Sequence, residues 1–156
     1  MEKSIIGVDE VTIIELSEKL NDLLANYQVY YQNLRGFHWN IKGRDFFELH
    51  VKFEELYTEA NVSIDEIAER VLTLDHIPLH SFSNYVNVSE IAEATNITKG
   101  SECVHILHAN IQTLIKKEKG ILKLAESADD QGTADLMTQY ISAQEKLNWM
   151  LRSYLS

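Results

Sequence analysis

The sequence is short of several things, and each shortage closes off a class of protein. It has one cysteine, Cys103, so no disulfide can form within the chain; this fits a reducing compartment, and the expected role of that residue is a small buried hydrophobe. No apolar run reaches the roughly 18 residues a membrane-spanning helix needs. Met1–Glu10 has neither the basic nor the apolar region of a secretion signal, so the expected location is cytoplasmic with no membrane partner. One proline, Pro78, and six glycines leave long stretches without a helix breaker. Basic residues are scarce too: 14 Lys and Arg stand against 24 Asp and Glu, a formal net charge of -10. A nonspecific hold on nucleic acid rests on Lys and Arg neutralising phosphates, so this balance argues against one and favours the attraction of cations. There is no phosphate-cradling Gly-rich loop, nucleophile elbow, internal repeat or low-complexity tract. What remains, 156 residues with 45% hydrophobic content, is enough for one domain spanning 1–156 with a sizeable core.

Four amphipathic stretches fill that domain. From about Glu10 to Asn40, Ile13, Leu16, Leu20, Leu23, Leu24, Tyr27, Tyr30, Tyr31, Leu34 and Phe37 recur at three- and four-residue steps, the signature of a long helix. After a turn at Gly43, Asp45 is placed to cap a second helix running to about Leu74, with Phe46, Leu49, Phe53, Leu56, Ala60, Ile64, Ile67 and Val71 as its inner stripe. Pro78 follows, and residues 79–100 read as a long crossover in which Tyr85, Val86, Val88, Ile91 and Ala92 anchor a short helix. A third helix from about Ser101 to Ser127 is striped by Val104, Leu107, Ile111, Leu114, Ile115, Leu122 and Ala125, and close packing is the expected reason for Gly120 within it. Thr133 is the expected cap of a fourth, striped by Leu136, Met137, Tyr140, Ile141, Leu147, Met150, Leu151 and Tyr154. The pattern predicts an all-α, ferritin-like four-helix bundle with a long connection and a short helix between helices two and three; residues 1–9 form an N-terminal extension.

The chemistry concentrates in Phe37–Arg70. Asp65 and Glu69 are i and i+4, which on a helix puts two carboxylates on one face about 5–6 Å apart, a spacing that can share a cation. His38 precedes Gly43 by five positions and His50 follows it by seven, so a helical hairpin brings the two imidazoles to similar heights. Glu54, one turn beyond His50, is a candidate additional ligand. His50 and Asp65, however, are fifteen residues apart on one helix, about 22 Å at 1.5 Å per residue. If one metal takes all four residues, the histidines of one subunit must meet the carboxylates of another, as a two-fold axis between antiparallel copies would arrange. The bland readings are a hydrogen-bonded core histidine at His38, a solvated acidic face at Asp65 and Glu69, and surface histidines at His76 and His80. A lone E-x-x-H at Glu102 and His105 falls short of the two such motifs that an intrasubunit di-iron carboxylate site requires, so His105 and His108 are read as packing or surface residues, with a secondary metal site as the alternative.

Four blocks together resemble a known family: F-H-W-N at Phe37–Asn40, L-H-x-x-F-E at Leu49–Glu54, D-E-I-A-E-R at Asp65–Arg70 and E-K-x-x-W-M-L-R at Glu145–Arg152. Over nearly the whole chain the sequence is similar to the Dps proteins, the mini-ferritins of starved bacterial cells. The resemblance implies a hollow dodecamer with ferroxidase centres shared across two-fold interfaces. It implies iron ligands at His38 and His50 from one subunit and at Asp65 and Glu69 from its partner, with Glu54 as the auxiliary carboxylate. It implies that Trp39 quenches oxidising intermediates, and that Asp129, Asp130 and Asp135 line an iron-entry pore.

The activity implied is ferroxidase: Fe(II) is oxidised, with hydrogen peroxide as the oxidant, and stored inside the shell as ferric mineral, which detoxifies iron under oxidative stress. Zinc can compete for mixed His and carboxylate ligands. The chain departs from the DNA-condensing members in having no Lys-rich tail; Lys3 is the one basic residue among the first ten, so DNA is not an expected partner. Two other readings stand beside this one: a nucleoid-structuring, DNA-binding protein with secondary iron chemistry, and a non-catalytic shell that buffers metal.

Overall fold

A computed structural model describes residues 4–156; residues 1–3, and with them Lys3 and the first part of the expected extension, lie outside the described residues. Five helices follow in order: α1 (Glu10–Asn40), α2 (Phe46–Thr73), α3 (Phe82–Val88), α4 (Gly100–Ser127) and α5 (Gln131–Leu155). Among the described residues there is no strand; an isolated bridge between Lys42 and Lys99 ties the first turn to the end of the crossover. None of these helices is long and apolar enough to cross a membrane.

The helix starts follow from local chemistry. Asp9 caps α1, its carboxylate accepting from the Thr12 N–H at 3.0 Å and from the Thr12 hydroxyl at 2.7 Å. Gly43 takes φ +106°, a backbone region closed to side chains with a Cβ, and so turns α1 into α2. Asp45 occupies the cap position of α2, but its side chain caps nothing: Asp45 Oδ2 accepts from the Tyr154 hydroxyl at 2.6 Å, tying the end of α5 to the start of α2. The expected cap at Thr133 is also displaced. Asp130 caps α5, and Thr133, three residues on, donates to it from both its backbone N–H and its hydroxyl.

α1 and α2 pack as one hairpin, α4 and α5 as another, and α1 packs against α4 to close the bundle. The core is the set of stripes read from the sequence: Leu16, Leu20, Leu34, Phe53, Ile67, Val71, Val104, Leu107, Ile111, Leu114 and Met137 are fully buried. Cys103 is buried among them, and burial pushes its thiol up to about 11. Some stripe positions differ. Ile121 rather than Leu122 is buried in α4, and Met150 and Tyr154 of α5 are exposed. In the crossover Tyr85 and Ile91 do anchor the chain, whereas Val86, Val88 and Ala92 face outward. Gly120 is exposed with open space around it, so close packing does not explain it.

The crossover is held by asparagines on α1. Asn21 Oδ1 accepts from Leu79 N–H at 2.8 Å, and its amide donates to the Ile77 carbonyl at 3.1 Å. Asn26 Oδ1 accepts from the N–H groups of Glu90 and Ile91 at 3.0 and 3.1 Å and from the Ser89 hydroxyl at 3.2 Å. Asn33 accepts from Ala94 N–H at 2.9 Å and donates to the Ala92 carbonyl at 3.0 Å. Irregular backbone packed against a helix needs such partners, because a buried unpaired peptide group is expensive.

Candidate metal centre

The Gly43 turn sets α1 and α2 side by side so that the ends carrying His38 and His50 face each other. Their rings are stacked with centroids 3.8 Å apart and planes 11° from parallel. His38 Nδ1 lies 2.6 Å from the His50 carbonyl oxygen, and His50 Nδ1 lies 2.7 Å from the His38 carbonyl oxygen. A carbonyl can only accept, so each Nδ1 carries a proton; in a neutral imidazole this tautomer leaves the lone pair on Nε2, the arrangement in which a histidine ligates a metal. These carbonyls belong to the residues that close α1 and lie early in α2, so the helix ends themselves orient the pair.

Other rings buttress the stack. Phe46, one turn before His50, lies nearly parallel to it at 4.9 Å, and Tyr57 meets His38 edge-on at 5.4 Å. His38 is buried and His50 half-buried, which keeps the imidazoles aimed while leaving an edge to solvent. Glu54 is exposed, with Oε2 4.0 Å from His38 Nε2, close enough to turn toward a cation held there. Trp39 is half-exposed on the adjoining face, its indole under the Arg35 guanidinium at 4.8 Å.

Asp65 and Glu69 are exposed further along α2 and do not approach the histidines of the same chain. Among the described residues no group of three or more His, Cys, Asp or Glu is gathered closely enough to hold a metal ion. A single subunit thus carries two halves of a ligand set: an oriented histidine pair with Glu54 beside it, and a carboxylate pair about 22 Å along the same helix.

The acids of the last turn divide. Asp129 and Asp135 are exposed, but Asp130 is buried and paired with Arg70, whose Nη2 donates to Asp130 Oδ1 at 2.7 Å while its Nε donates to the Thr133 hydroxyl at 2.9 Å. Asp130 therefore cannot line an entry pore; it anchors α5 to the residue that follows Glu69. The remaining histidines are surface or packing residues as read: His76 and His80 turn back onto the carbonyls of Leu74 and Pro78, and His108 Nδ1 pairs with Asn148 Oδ1 at 2.7 Å. Phe46, expected only as part of the inner stripe of α2, and Tyr57 and Arg35, which no motif marks, complete the surroundings of the centre. Their signal lay in helical spacing: Phe46 stands four before His50, Tyr57 seven after it, and Arg35 midway between Tyr31 and Trp39.

A family model for the ferritin-like domain matches residues 17–156, so match and bundle together define a ferritin-like protein. Within that class the chain belongs to the Dps family. It is 41% identical over 150 residues to the DNA protection during starvation protein of Porphyromonas gingivalis, covering 96% of this chain and 94% of the relative. The fold matches the crystal structure of a Dps protein from Vibrio cholerae O1 with a TM-score of 0.97 and 47% identity, covering 100% of this chain and 98% of that one; that protein is described as a member of a broad superfamily of ferritin-like diiron-carboxylate proteins. Dps from Staphylococcus aureus matches with a TM-score of 0.89 and 34% identity, covering 96% of this chain and 98% of that one.

Proposed function

We infer that the protein is an iron-storing ferroxidase of the cytoplasm, working as a hollow homo-oligomer, a dodecamer in the reading carried from the family. His38 and His50 of one subunit, with Glu54 beside them, face Asp65 and Glu69 of another and together bind Fe(II). Hydrogen peroxide takes electrons from the bound iron, and ferric product accumulates inside the shell, so that iron and peroxide are removed together. The observation that carries the reading is the reciprocal bonding of the two imidazoles: it leaves both Nε2 atoms free on an open edge, which a merely structural histidine pair would not require.

The chain's residues act in distinct ways. The acidic surface draws Fe(II) by its field. The helix ends hold each imidazole in the ligating tautomer, and the carboxylates balance the charge of a cation that loses an electron. Zinc suits the same donors and acts as a competing ion that blocks turnover. The name carried by several relatives, DNA protection during starvation, favours a second reading in which the shell contacts DNA; the charge of -10 opposes it, and removal of iron and peroxide protects DNA without contact.

The test adds Fe(II) anaerobically to metal-free protein, then hydrogen peroxide, and follows ferric absorbance together with particle size by light scattering. Oxidation faster than in buffer, with product held in a shell-sized particle, is the expected result. Oxidation at the protein-free rate with precipitation would overturn the ferroxidase reading. If His50→Ala and Glu69→Ala leave a fast rate unchanged, these residues are not the site. A salt-dependent gel shift with duplex DNA would promote the second reading.

A further inference from the structure

We propose that Arg70 is a positioning residue for the carboxylate half of the centre: by locking α2 to the start of α5 it fixes the rotation of α2 about its own axis and so aims Asp65 and Glu69. The inference rests on the reading above in which those two carboxylates are ligands.

The lock is a closed ring of three hydrogen bonds. Arg70 Nη2 donates to Asp130 Oδ1 at 2.7 Å, Arg70 Nε donates to the Thr133 hydroxyl at 2.9 Å, and that hydroxyl donates to Asp130 Oδ2 at 2.5 Å. The ring is shielded from water: the Asp130 side chain is 2% exposed and that of Arg70 20%. Gly132 lies against the guanidinium, where a Cβ would stand 2.7 Å from Nη1 and 2.8 Å from Nη2. One turn earlier on the same face of α2, Glu66 Oε1 accepts from the Tyr140 hydroxyl of α5 at 3.1 Å. Two points on one face fix the roll of a helix, which a single point does not.

Energy alone does not explain a charged ring in this place. Taking an ion pair out of water is costly, and well-packed apolar side chains of similar volume often hold two helices as well or better. What the arginine fork adds is direction, because its donors lie in one plane and meet two acceptors at once. Apolar packing constrains the roll less along the middle of this face, where α2 and α5 part around a groove of about 270 Å³ beside Leu56, Ala60 and Leu147.

Roll matters to a metal site. At about 100° per residue, Glu69 leaves the helix roughly 100° from Arg70 and Asp65 roughly 140° from it on the same side. With Arg70 turned into the bundle, both carboxylates therefore emerge together on its flank, and both are exposed, so the helix is what aims them. Side chains reach roughly 5–6 Å from the axis, and a roll of about 20° carries each carboxylate about 2 Å. Metal–ligand distances tolerate only about 0.2 Å.

The experiment titrates metal-free, assembled protein anaerobically with Co(II), a spectroscopic stand-in for Fe(II), and records the visible ligand-field bands, the particle size and the melting midpoint. Arg70→Met combined with Asp130→Asn removes both charges and keeps a cap on α5; it is expected to bind Co(II) roughly tenfold more weakly, with shifted bands. Arg70→Lys keeps the charge but cannot reach both acceptors, and is expected to fall between that variant and the wild type. Ile111→Val, a core change that lowers the melting midpoint without touching the ring, is expected to keep wild-type affinity and bands, so that a loss in the ring variants reports aim rather than stability. Should the charge-free variant fail to assemble, Arg70→Lys decides alone. Wild-type affinity and bands in assembled ring variants overturn the proposal and leave the ligand reading standing, as does a loss that Ile111→Val reproduces. If Glu69→Ala itself binds Co(II) like the wild type, the ligand reading fails and takes the proposal with it.

Discussion

His38 and His50 orient each other: their rings stack at 3.8 Å, and each Nδ1 is held by the other's main-chain carbonyl. Phe46 and Tyr57 buttress the stack from outside, but each Nδ1 finds its partner in the other histidine, so removing one ring takes away packing surface of the other while leaving its carbonyl anchor. The two positions should therefore behave as one unit. His38→Ala and His50→Ala are each expected to weaken Fe(II) binding by roughly 10–100-fold, and the double variant by little more than either. Anaerobic titration of the three variants measures this, and fully additive losses would mean the histidines act independently.

The separation of the histidine and carboxylate halves along α2 gives a sharper test. His50→Ala and Glu69→Ala homo-oligomers should both be slow. Unfolded together and reassembled, they form some pairs in which one of two sites draws its histidines from the Glu69→Ala chain and its carboxylates from the His50→Ala chain. With random pairing about a quarter of the sites are whole. Ferric absorbance should recover to about that fraction of the wild-type rate. No recovery in a mixture shown to contain mixed particles would sink the shared-site assignment.

How much of this was legible in the sequence follows from what periodicity can and cannot carry. The four long helices and most of the core came directly from three- and four-residue apolar steps, because burial of one face is what those steps encode. The histidine pair was legible because Gly43 fixed the hairpin and hence the relative heights. The polar clamps were not: Asn26 and Asn33 sit inside a helix where asparagine reads as a weak propensity, and their partners are backbone groups about sixty residues away that no local pattern announces. Asp130 was misread for a related reason. The resemblance grouped it with Asp129 and Asp135, and nothing local in the sequence shows that Arg70, on another helix, is its partner.

Asn26 should accordingly matter more than its residue type suggests. Its carbonyl oxygen satisfies two backbone N–H groups and one hydroxyl of the crossover. Asn26→Ala leaves those donors without their acceptor and is expected to destabilise the fold by about 2–4 kcal/mol. Hydrogen exchange should show the loss first at Glu90 and Ile91. Unchanged protection there would mean the crossover is held by other contacts.

Gly120 should show the opposite sign. It lies exposed in the middle of α4, and a Cβ built there meets nothing within 4 Å. Replacing it by alanine reduces the freedom of the unfolded chain without a steric penalty, so Gly120→Ala is expected to stabilise by up to about 1 kcal/mol. Denaturant midpoints of the two proteins decide it. A destabilised variant would indicate that this face of α4 is covered in the assembled particle.

Glu118 makes stability depend on pH. It is fully buried in the bundle, with Oε2 accepting from the Tyr27 hydroxyl at 2.7 Å and from Gln144 Nε2 at 3.0 Å, while its Oε1 has no hydrogen-bond partner among the described residues. Burial pushes its carboxyl from 4.5 up to about 8, and the bonds from Tyr27 and Gln144 only partly oppose that rise. The folded state thus holds this proton more tightly than the unfolded chain. Below 4.5 both states are protonated and the contribution to stability is whole; it is lost as pH climbs from there through the folded value of about 8, and is flat above it. The loss is on the order of a few kcal/mol. Glu118→Gln keeps the shape and both bonds to the retained oxygen but has nothing to ionise. The variant should match the wild type near pH 5 and become the more stable protein by about pH 9, so that the two curves of unfolding free energy against pH diverge across the neutral range. Parallel curves would show that the carboxyl ionises at its ordinary value, with water reaching it through the groove beside Tyr27 and Gln144.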